Sequence, residues 1–183
     1  MATAGPNGCG TGADDAGTGT ITWSNPSNVT TDSSDATATL GGPQTTHYLV
    51  ATNFGFSIPA GATINGITIK WKRQQTGADV HDDRIRIVKG GAIGSTDKAS
   101  GSNWPGSYTE ATYGSSSDLW GETWTVDDIN ASNFGSALSA TASVGGNAAV
   151  RFCTATIDYT AAGGLFRQSV DIGIGGPFFS NPI

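Results

Sequence analysis

The chain has 183 residues, including 27 glycines, and charged residues make up only 13% of it, against about 25% in average soluble domains. This length predicts a single domain, and the missing charge implies a surface rich in Ser and Thr. With 9 Lys and Arg, no basic stripe and a net charge of -6, the chain is excluded from phosphate-driven nucleic-acid binding. No apolar run approaches the roughly 20 residues that cross a bilayer, which excludes membrane insertion.

Apolar and polar residues alternate in several short stretches, which is the two-residue period of a half-buried strand. The clearest case is 67–72, where Ile67, Ile69 and Trp71 alternate with polar neighbours. We expect this strand to pair antiparallel with 83–89 across a turn at 75–78. The predicted strands are, in chain order, 19–23, 36–40, 47–56, 67–72, 83–89, 108–113, 134–143, 148–160 and 165–174.

One helical signal interrupts this pattern at residues 125–130. Thr125 can cap the helix, and Asp127 and Asp128 lie in its first turn, where the helix dipole favours acidic residues. No window keeps a 3.6-residue apolar period for three turns. The sequence therefore predicts an all-β fold, a jelly-roll-like antiparallel β-sandwich or a related Greek-key sandwich, with one short helix.

Both ends depart from the strand pattern, and we expect three regions. Residues 1–18 form a Gly-rich N-terminal arm, 19–162 the sandwich domain, and 163–183 a C-terminal assembly arm. Gly-rich arms need a surface to lie against, and a neighbouring copy supplies one, so we expect a homo-oligomer, with a trimer as one option. The predicted assembly residues are Leu165, Phe166, Val170, Ile172, Ile174, Phe178 and Phe179.

The chain offers few groups for catalysis or metal binding. The ionisable cluster around His81, Asp82 and Asp83 falls at a predicted hairpin end, so we interpret it as a solvated turn. No sequence motif of a hydrolase, nucleotide-binding protein or metalloprotease is present, so we predict no catalytic, cofactor-binding or metal site. An oxygen-only calcium site in the Gly-rich loops stays open. Cys9 and Cys153 are expected to be isolated buried residues, with a disulfide as the alternative.

A Gly- and Ser-rich stretch carries several aromatic residues in a short span. If they are exposed, Trp104, Tyr108 and Tyr113 could stack on sugar rings, since flat apolar faces with polar rims suit such ligands. If they are buried, they are core and loop residues. Trp120 and Trp124 are assigned to the core.

Four strings of this sequence resemble a module that recurs in virion proteins of tailed phages and prophages. They are NFGFSIPAGATI at 53–64, DDRIRIVKGG at 82–91, DLWG at 118–121 and WTVDDINASNFG at 124–135. The resemblance runs from about residue 45 to residue 159 and leaves out the arms. It implies a jelly-roll sandwich in capsid decoration, head-fibre or tail-fibre proteins, and it brings no catalytic residues with it.

These observations predict a non-enzymatic virion structural protein, most simply a capsid decoration protein that contacts copies of itself and the major capsid protein. The alternative is a carbohydrate- or receptor-binding module of a phage tail or head fibre, using the Trp104 loop. A hydrolase or lyase acting through Asp82 or Asp83 is a third hypothesis. Because residues 1–19 lack the basic start and apolar stretch of a secretory signal, we expect assembly in the host cytoplasm.

Overall fold

The computed structural model describes residues 1–77 and 79–163. This part of the chain contains eleven strands, one 3₁₀ turn (Pro26–Val29) and one α-helix, α1 (Val126–Asn130). The strands are β1 (Ala2–Gly8), β2 (Thr11–Asp15), β3 (Ala36–Leu40), β4 (Gln44–Thr45), β5 (Tyr48–Thr52), β6 (Thr63–Gly77), β7 (His81–Lys89), β8 (Ala92–Ile93), β9 (Thr109–Ser115), β10 (Gly135–Ala142) and β11 (Gly146–Thr160).

The strands form two antiparallel sheets that pack face to face. The first sheet has the order β1-β11-β6-β9. Strand β3 also pairs with β11, at residues 146–150, whereas β1 pairs with residues 154–159. The second has the order β2-β5-β10-β7-β8, with β4 pairing with β10. Together, the two sheets and the short helix confirm the predicted antiparallel β-sandwich with one short helix.

The core lies between the sheets and is built from the predicted alternation. Ile67, Ile69 and Trp71 of β6 are fully buried on one side, and Ile85 and Ile87 of β7 are fully buried on the other. The two strands face each other across the core, and the predicted 67–72/83–89 hairpin is wrong: β6 pairs with β11 and β9, and β7 with β10 and β8. Successive strands β6 and β7 therefore belong to different sheets, and the isoleucines of both are part of one shared core.

The N-terminal region also differs from its prediction. Instead of an arm, residues 2–8 form β1 on β11, with Ala2 opposite Tyr159, and residues 11–15 form β2 on β5. Backbone hydrogen bonds make these pairings, so strands built from Gly, Ala and Thr can join a sheet with almost no apolar side chains. The expected strand at 19–23 is replaced by isolated bridges at Ile21 and Ser24.

The turns behave as their glycines predict. Gly61 has a φ of 76° in the turn before β6, and Gly90 and Gly91 have φ values of 59° and 83° at the β7-β8 hairpin. These are left-handed conformations, which glycine adopts at little steric cost. The predicted strand at 165–174 and the assembly residues of the C-terminal arm lie outside the described residues.

Candidate functional site

Two of the three aromatic residues considered as a possible ligand surface have their side chains inside the protein. Trp104 is only 2% exposed, and its indole N–H donates to Oδ1 of Asp82 at 2.7 Å. The Tyr113 hydroxyl, also buried, donates to Oδ2 of the same carboxylate at 2.7 Å. Tyr108 is half-buried, and the Arg151 guanidinium lies 3.9 Å from its ring centroid. Burial removes Trp104 and Tyr113 from any stacking surface, so of the two alternatives left open by the sequence these two residues follow the core interpretation.

Asp82 is the centre of a buried polar network rather than part of a solvated turn. Arg73 Nη2 lies 3.5 Å from Asp82 Oδ1 and donates to the Tyr113 hydroxyl at 3.0 Å. The guanidinium also lies over the Trp104 ring, 4.8 Å from its centroid. Burial and then the Asp82 charge raise the pKa of Tyr113 well above its usual range. Apart from Nε of Arg73, which is buried without a hydrogen-bond partner, the polar groups described here are paired inside the fold, so we interpret this network as structural.

The histidines have structural partners too. His47 Nδ1 lies 2.8 Å from Asp14 Oδ2, and Asp14 Oδ1 accepts the backbone N–H of Trp23. His81 Nδ1 lies 2.8 Å from the carbonyl oxygen of Asp79. Among the described residues, no cluster of three or more His, Cys, Asp or Glu is placed to hold a metal ion. No helix in this part of the chain is long and apolar enough to cross a membrane.

Cys9 and Cys153 are neighbours in space although 144 positions separate them in the sequence. The Cys9 backbone N–H donates to the Cys153 carbonyl at 3.1 Å, and both residues are buried as free thiols. The Cys9 thiol donates to the Val29 carbonyl oxygen at 3.2 Å. Burial raises the pKa of Cys9 to about 12 and that of Cys153 well above its ordinary value. The two thiols are therefore protonated and unreactive at neutral pH.

A surface groove lies at the end of the sandwich where β6 begins and α1 is attached. It has a volume of about 420 Å³, within the range of small-molecule sites. We call it the Trp124 groove, because this half-buried tryptophan is its largest wall residue. Its lining residues are Ala60, Gly61, Ala62, Thr63, Trp124, Thr125, Val126 and Asp127.

An aromatic cluster behind the groove holds Trp124 in place. The Trp124 ring meets Phe134 edge to face at 5.5 Å between centroids, and Phe134 in turn contacts Phe54 and Phe56. The Trp124 indole N–H donates to the Leu119 carbonyl at 2.9 Å, and Lys89 Nζ lies 5.4 Å from the ring centroid. These contacts fix the ring and leave part of it in the groove wall.

The helix beside the groove is fixed by its cap and by an amide clamp. Thr125 and Asp128 form a reciprocal capping box, in which the Thr125 hydroxyl accepts the Asp128 N–H. The side chain of Asn130 accepts the Ile58 N–H at 2.8 Å and donates to the Ile58 carbonyl at 3.0 Å. The predicted Thr125 cap is confirmed, and the clamp ties the helix to the loop that forms the opposite wall.

The charge at the groove is negative. The exposed carboxylate of Asp127 is in the lining, and no ion pair of this residue is found within 1–77 and 79–163. The nearby cation Lys89 is paired with Asp128 at 3.5 Å. The Thr125 backbone N–H, which donates to Asp128, outweighs the effect of burial and holds the pKa of that carboxyl below its usual value.

The four strings that resemble the virion module meet at this end of the sandwich. Residues 53–64 and 124–135 supply both groove walls, and the 82–91 string brings Lys89 to Trp124. In the 118–121 string, Leu119 accepts the Trp124 indole N–H, and the Trp120 indole N–H donates to the Ile67 carbonyl at 3.0 Å. Sequence reasoning identified these segments as scaffold but missed the groove, because Trp124 was assigned to the core. Its position beside a capped helix and opposite a Pro-Ala-Gly turn was the available signal.

Comparison with known proteins gives a distant structural likeness and nothing closer. No family model and no curated protein matches the chain. One similar solved chain, described as "CBM4 structure and function", has a TM-score of 0.42 and 13% identity, covering 84% of this chain and 94% of its own. Another is the second N-terminal cellulose-binding domain from Cellulomonas fimi β-1,4-glucanase C, with a TM-score of 0.42 and 12% identity, covering 86% and 94%. Similarity of this degree assigns neither a family nor a ligand to the chain.

Proposed function

We propose that this chain is a non-catalytic binding domain and that the Trp124 groove binds a neutral carbohydrate. The observation that carries the proposal is the half-buried Trp124 ring, held by Phe134 in a groove that also presents Thr63, Thr125 and Asp127. Sugars have apolar ring faces and hydroxyl edges, and an aromatic wall with a few polar groups matches both. The lining threonine hydroxyls can donate hydrogen bonds to sugar hydroxyls and accept them, and the Asp127 carboxylate can accept them.

The charge at the groove supports a neutral ligand over an anionic one. Asp127 is the one charged lining residue, and its carboxylate repels sulfated sugars and uronic acids. Lys89, the described cation that lies over the Trp124 ring, donates to the Thr123 carbonyl at 2.6 Å and is paired with Asp128. These partners leave little positive charge to offset a ligand's negative charge.

Tryptophan fluorescence gives a direct test. All 5 tryptophans fall in the described ranges, and Trp23, Trp71, Trp104 and Trp120 are buried, which makes Trp124 the residue most accessible to a quencher. We expect neutral oligosaccharides of glucose or N-acetylglucosamine to change the emission saturably and to protect Trp124 from acrylamide. Oligosaccharides of uronic acids should have a much smaller effect.

Two variants make this test specific. Trp124→Ala removes the reporter together with the ring, so its binding is followed by titration calorimetry, in which the binding heat of the unaltered chain should disappear. Val144→Ser changes an exposed residue in the turn after β10, at the far end, and should leave both the heat and the fluorescence response intact. A response that survives in Trp124→Ala would place the ligand elsewhere. The absence of any response across the neutral series in the unaltered chain would reject carbohydrate binding at this groove.

A second candidate function is a structural role on a virion, through self-association or binding to the major capsid protein. The observation that favours it is the convergence of the four resembling strings on the Trp124 groove end. Segments far apart in sequence thereby meet around one exposed groove, and we take the groove as the candidate interface. Light scattering tests self-association: an oligomer that dissociates with Val126→Asp and persists with Val144→Ser would support the role. Co-sedimentation with capsids tests the capsid contact in the same pair of variants.

A further inference from the structure

The described chain ends beside the Trp124 groove. Thr160, the last residue of β11, pairs with Thr63, which lines the groove. Two residues later, Ala162 reaches Gly61, another lining residue, where an added Cβ would lie 3.2 Å from the Ala162 side chain. The described part of the chain therefore ends near the rim of the groove.

The C-terminal segment, residues 164–183, matches the groove in composition. It opens with Gly-Leu-Phe-Arg, so Leu165 and Phe166 follow Ala162 by three and four positions. An extended chain spans about 3.3–3.6 Å per residue, which puts both side chains within reach of the groove. The groove offers apolar surface from its alanines, Trp124 and Val126.

Charge supports the same match. Arg167 is the one cation in residues 164–183, and it follows Phe166 directly. On the groove side, Asp127 is exposed and has no ion pair in the described part of the chain. The segment and the groove belong to the same chain and only a few residues separate them. A short connection of this kind gives an effective concentration of the segment at the groove in the millimolar range.

We propose that the C-terminal segment docks in the Trp124 groove of its own chain, with Leu165 and Phe166 against the apolar wall and Arg167 beside Asp127. This docking does not depend on the proposed carbohydrate function.

Limited trypsin digestion of the full chain tests the docking without any sugar. Trypsin can cut after Arg167, and a docked segment should protect that bond. We expect cleavage there to become roughly tenfold faster in Val126→Asp, because proteolysis follows the population of the undocked form. Val126→Asp leaves the residues around the cleavage site unchanged, and Val144→Ser serves as the matched control. Intact mass measured over time reports cleavage after Arg167 separately from cuts in the body.

A second variant keeps the test decisive if Val126→Asp perturbs the helix. Leu165→Ser changes only the segment and should also speed cleavage, after correction for the rate on a free peptide of the same sequence. Equal Arg167 cleavage rates in the unaltered chain and both variants would overturn the proposal. Protection that rises with protein concentration would overturn it too, because it would assign the segment to the groove of a second copy. Failure of sugar binding would leave these rates unchanged, so the two proposals fail separately.

Discussion

The indole N–H of Trp104 donates to Asp82 Oδ1 at 2.7 Å, and both residues are buried, with 2% and 4% exposure. This bond fastens the loop between β8 and β9 to the start of β7. Asp82 Oδ2 also accepts the backbone N–H of Ser100, at 3.0 Å, so the carboxylate holds the loop by side chain and backbone. The Asp82 carboxylate thereby orders a long Gly- and Ser-rich loop.

Removing the negative charge of Asp82 should destabilise the whole domain. Asp82→Asn leaves the Arg73 charge buried without its counter-ion, and we expect a loss of about 3 kcal/mol in the free energy of unfolding. Denaturant unfolding followed by circular dichroism measures it. The neighbouring Asp83→Asn is the control, because Asp83 is partly exposed and pairs with Arg84 at 3.8 Å; it should cost less than about 1 kcal/mol. Similar losses in the two variants would contradict a structural role for the Asp82 network.

A methyl group should not fit at Gly135, the first residue of β10. A Cβ built there would lie 2.0 Å from the Ala51 carbonyl oxygen on the adjacent strand β5. Because backbone must move to make room, Gly135→Ala should lower stability by about 1–3 kcal/mol or more. Gly106→Ala is the matched control, since nothing lies within 4 Å of its Cβ position. Thermal unfolding of both variants separates them, and an unaffected Gly135→Ala would mean that β5 and β10 are less closely packed than described.

The helix cap should make part of the stability depend on pH. The pKa of Asp128 is lowered from 3.8, first by the Thr125 backbone N–H, so its ionised form is favoured in the folded state. Its contribution is complete at pH values above the ordinary carboxyl pKa and is lost as the pH falls through the lowered pKa. Asp128→Asn should therefore flatten the acid limb of the stability profile. Equal slopes below pH 3.8 in both proteins would contradict the assignment.

Removing the Thr125 hydroxyl, the other half of the capping box, gives an independent measure of how much the cap stabilises the domain. Thr125→Ala removes the hydroxyl that accepts the Asp128 N–H at 3.1 Å, and we expect a cost of about 1 kcal/mol. Thr125→Ser keeps the hydroxyl and should retain most of the stability. Urea unfolding of the pair is the measurement, and equal losses would show that packing at the groove, not the cap, accounts for the effect.

The two thiols should resist modification until the protein unfolds. Cys9 and Cys153 are 4% and 0% exposed, and burial raises the pKa of both, to about 12 for Cys9. A disulfide-exchange reagent at neutral pH should label neither residue in the native protein and both in denaturant. Labelling of Cys9 alone under native conditions would indicate local opening of the β1 end, where Gly8 pairs with Thr154.

The sequence predicts the secondary structure well where it depends on local patterns. The alternation of Ile67, Ile69 and Trp71 gives β6, and the Thr125 cap gives the helix start. Partners are harder to predict, because the same alternation suits a hairpin and two strands facing each other across a sandwich. That ambiguity is why β6 and β7 were expected to pair.

The candidate site could not be predicted in the same way. Whether an aromatic residue is buried depends on its tertiary contacts. Trp104 is buried and hydrogen-bonded to Asp82, whereas the groove between residues 60–63 and Trp124 leaves part of the Trp124 ring exposed. The N-terminal strands were missed for a different reason. Backbone pairing with β11 and β5 specifies them, and an apolar pattern is not needed.

The first strand pairs with the last strand of the described residues, Ala2 opposite Tyr159, with almost the whole sandwich between them. A contact of this sequence separation cannot form until residue 159 has left the ribosome, and its loop-closure entropy must be met before the pairing contributes stability. We therefore expect the sandwich to close late, with slow folding typical of all-β topologies. During synthesis β1, and the edge of β6 that β11 later covers, would be left without a partner, and a second nascent chain could pair with these open edges.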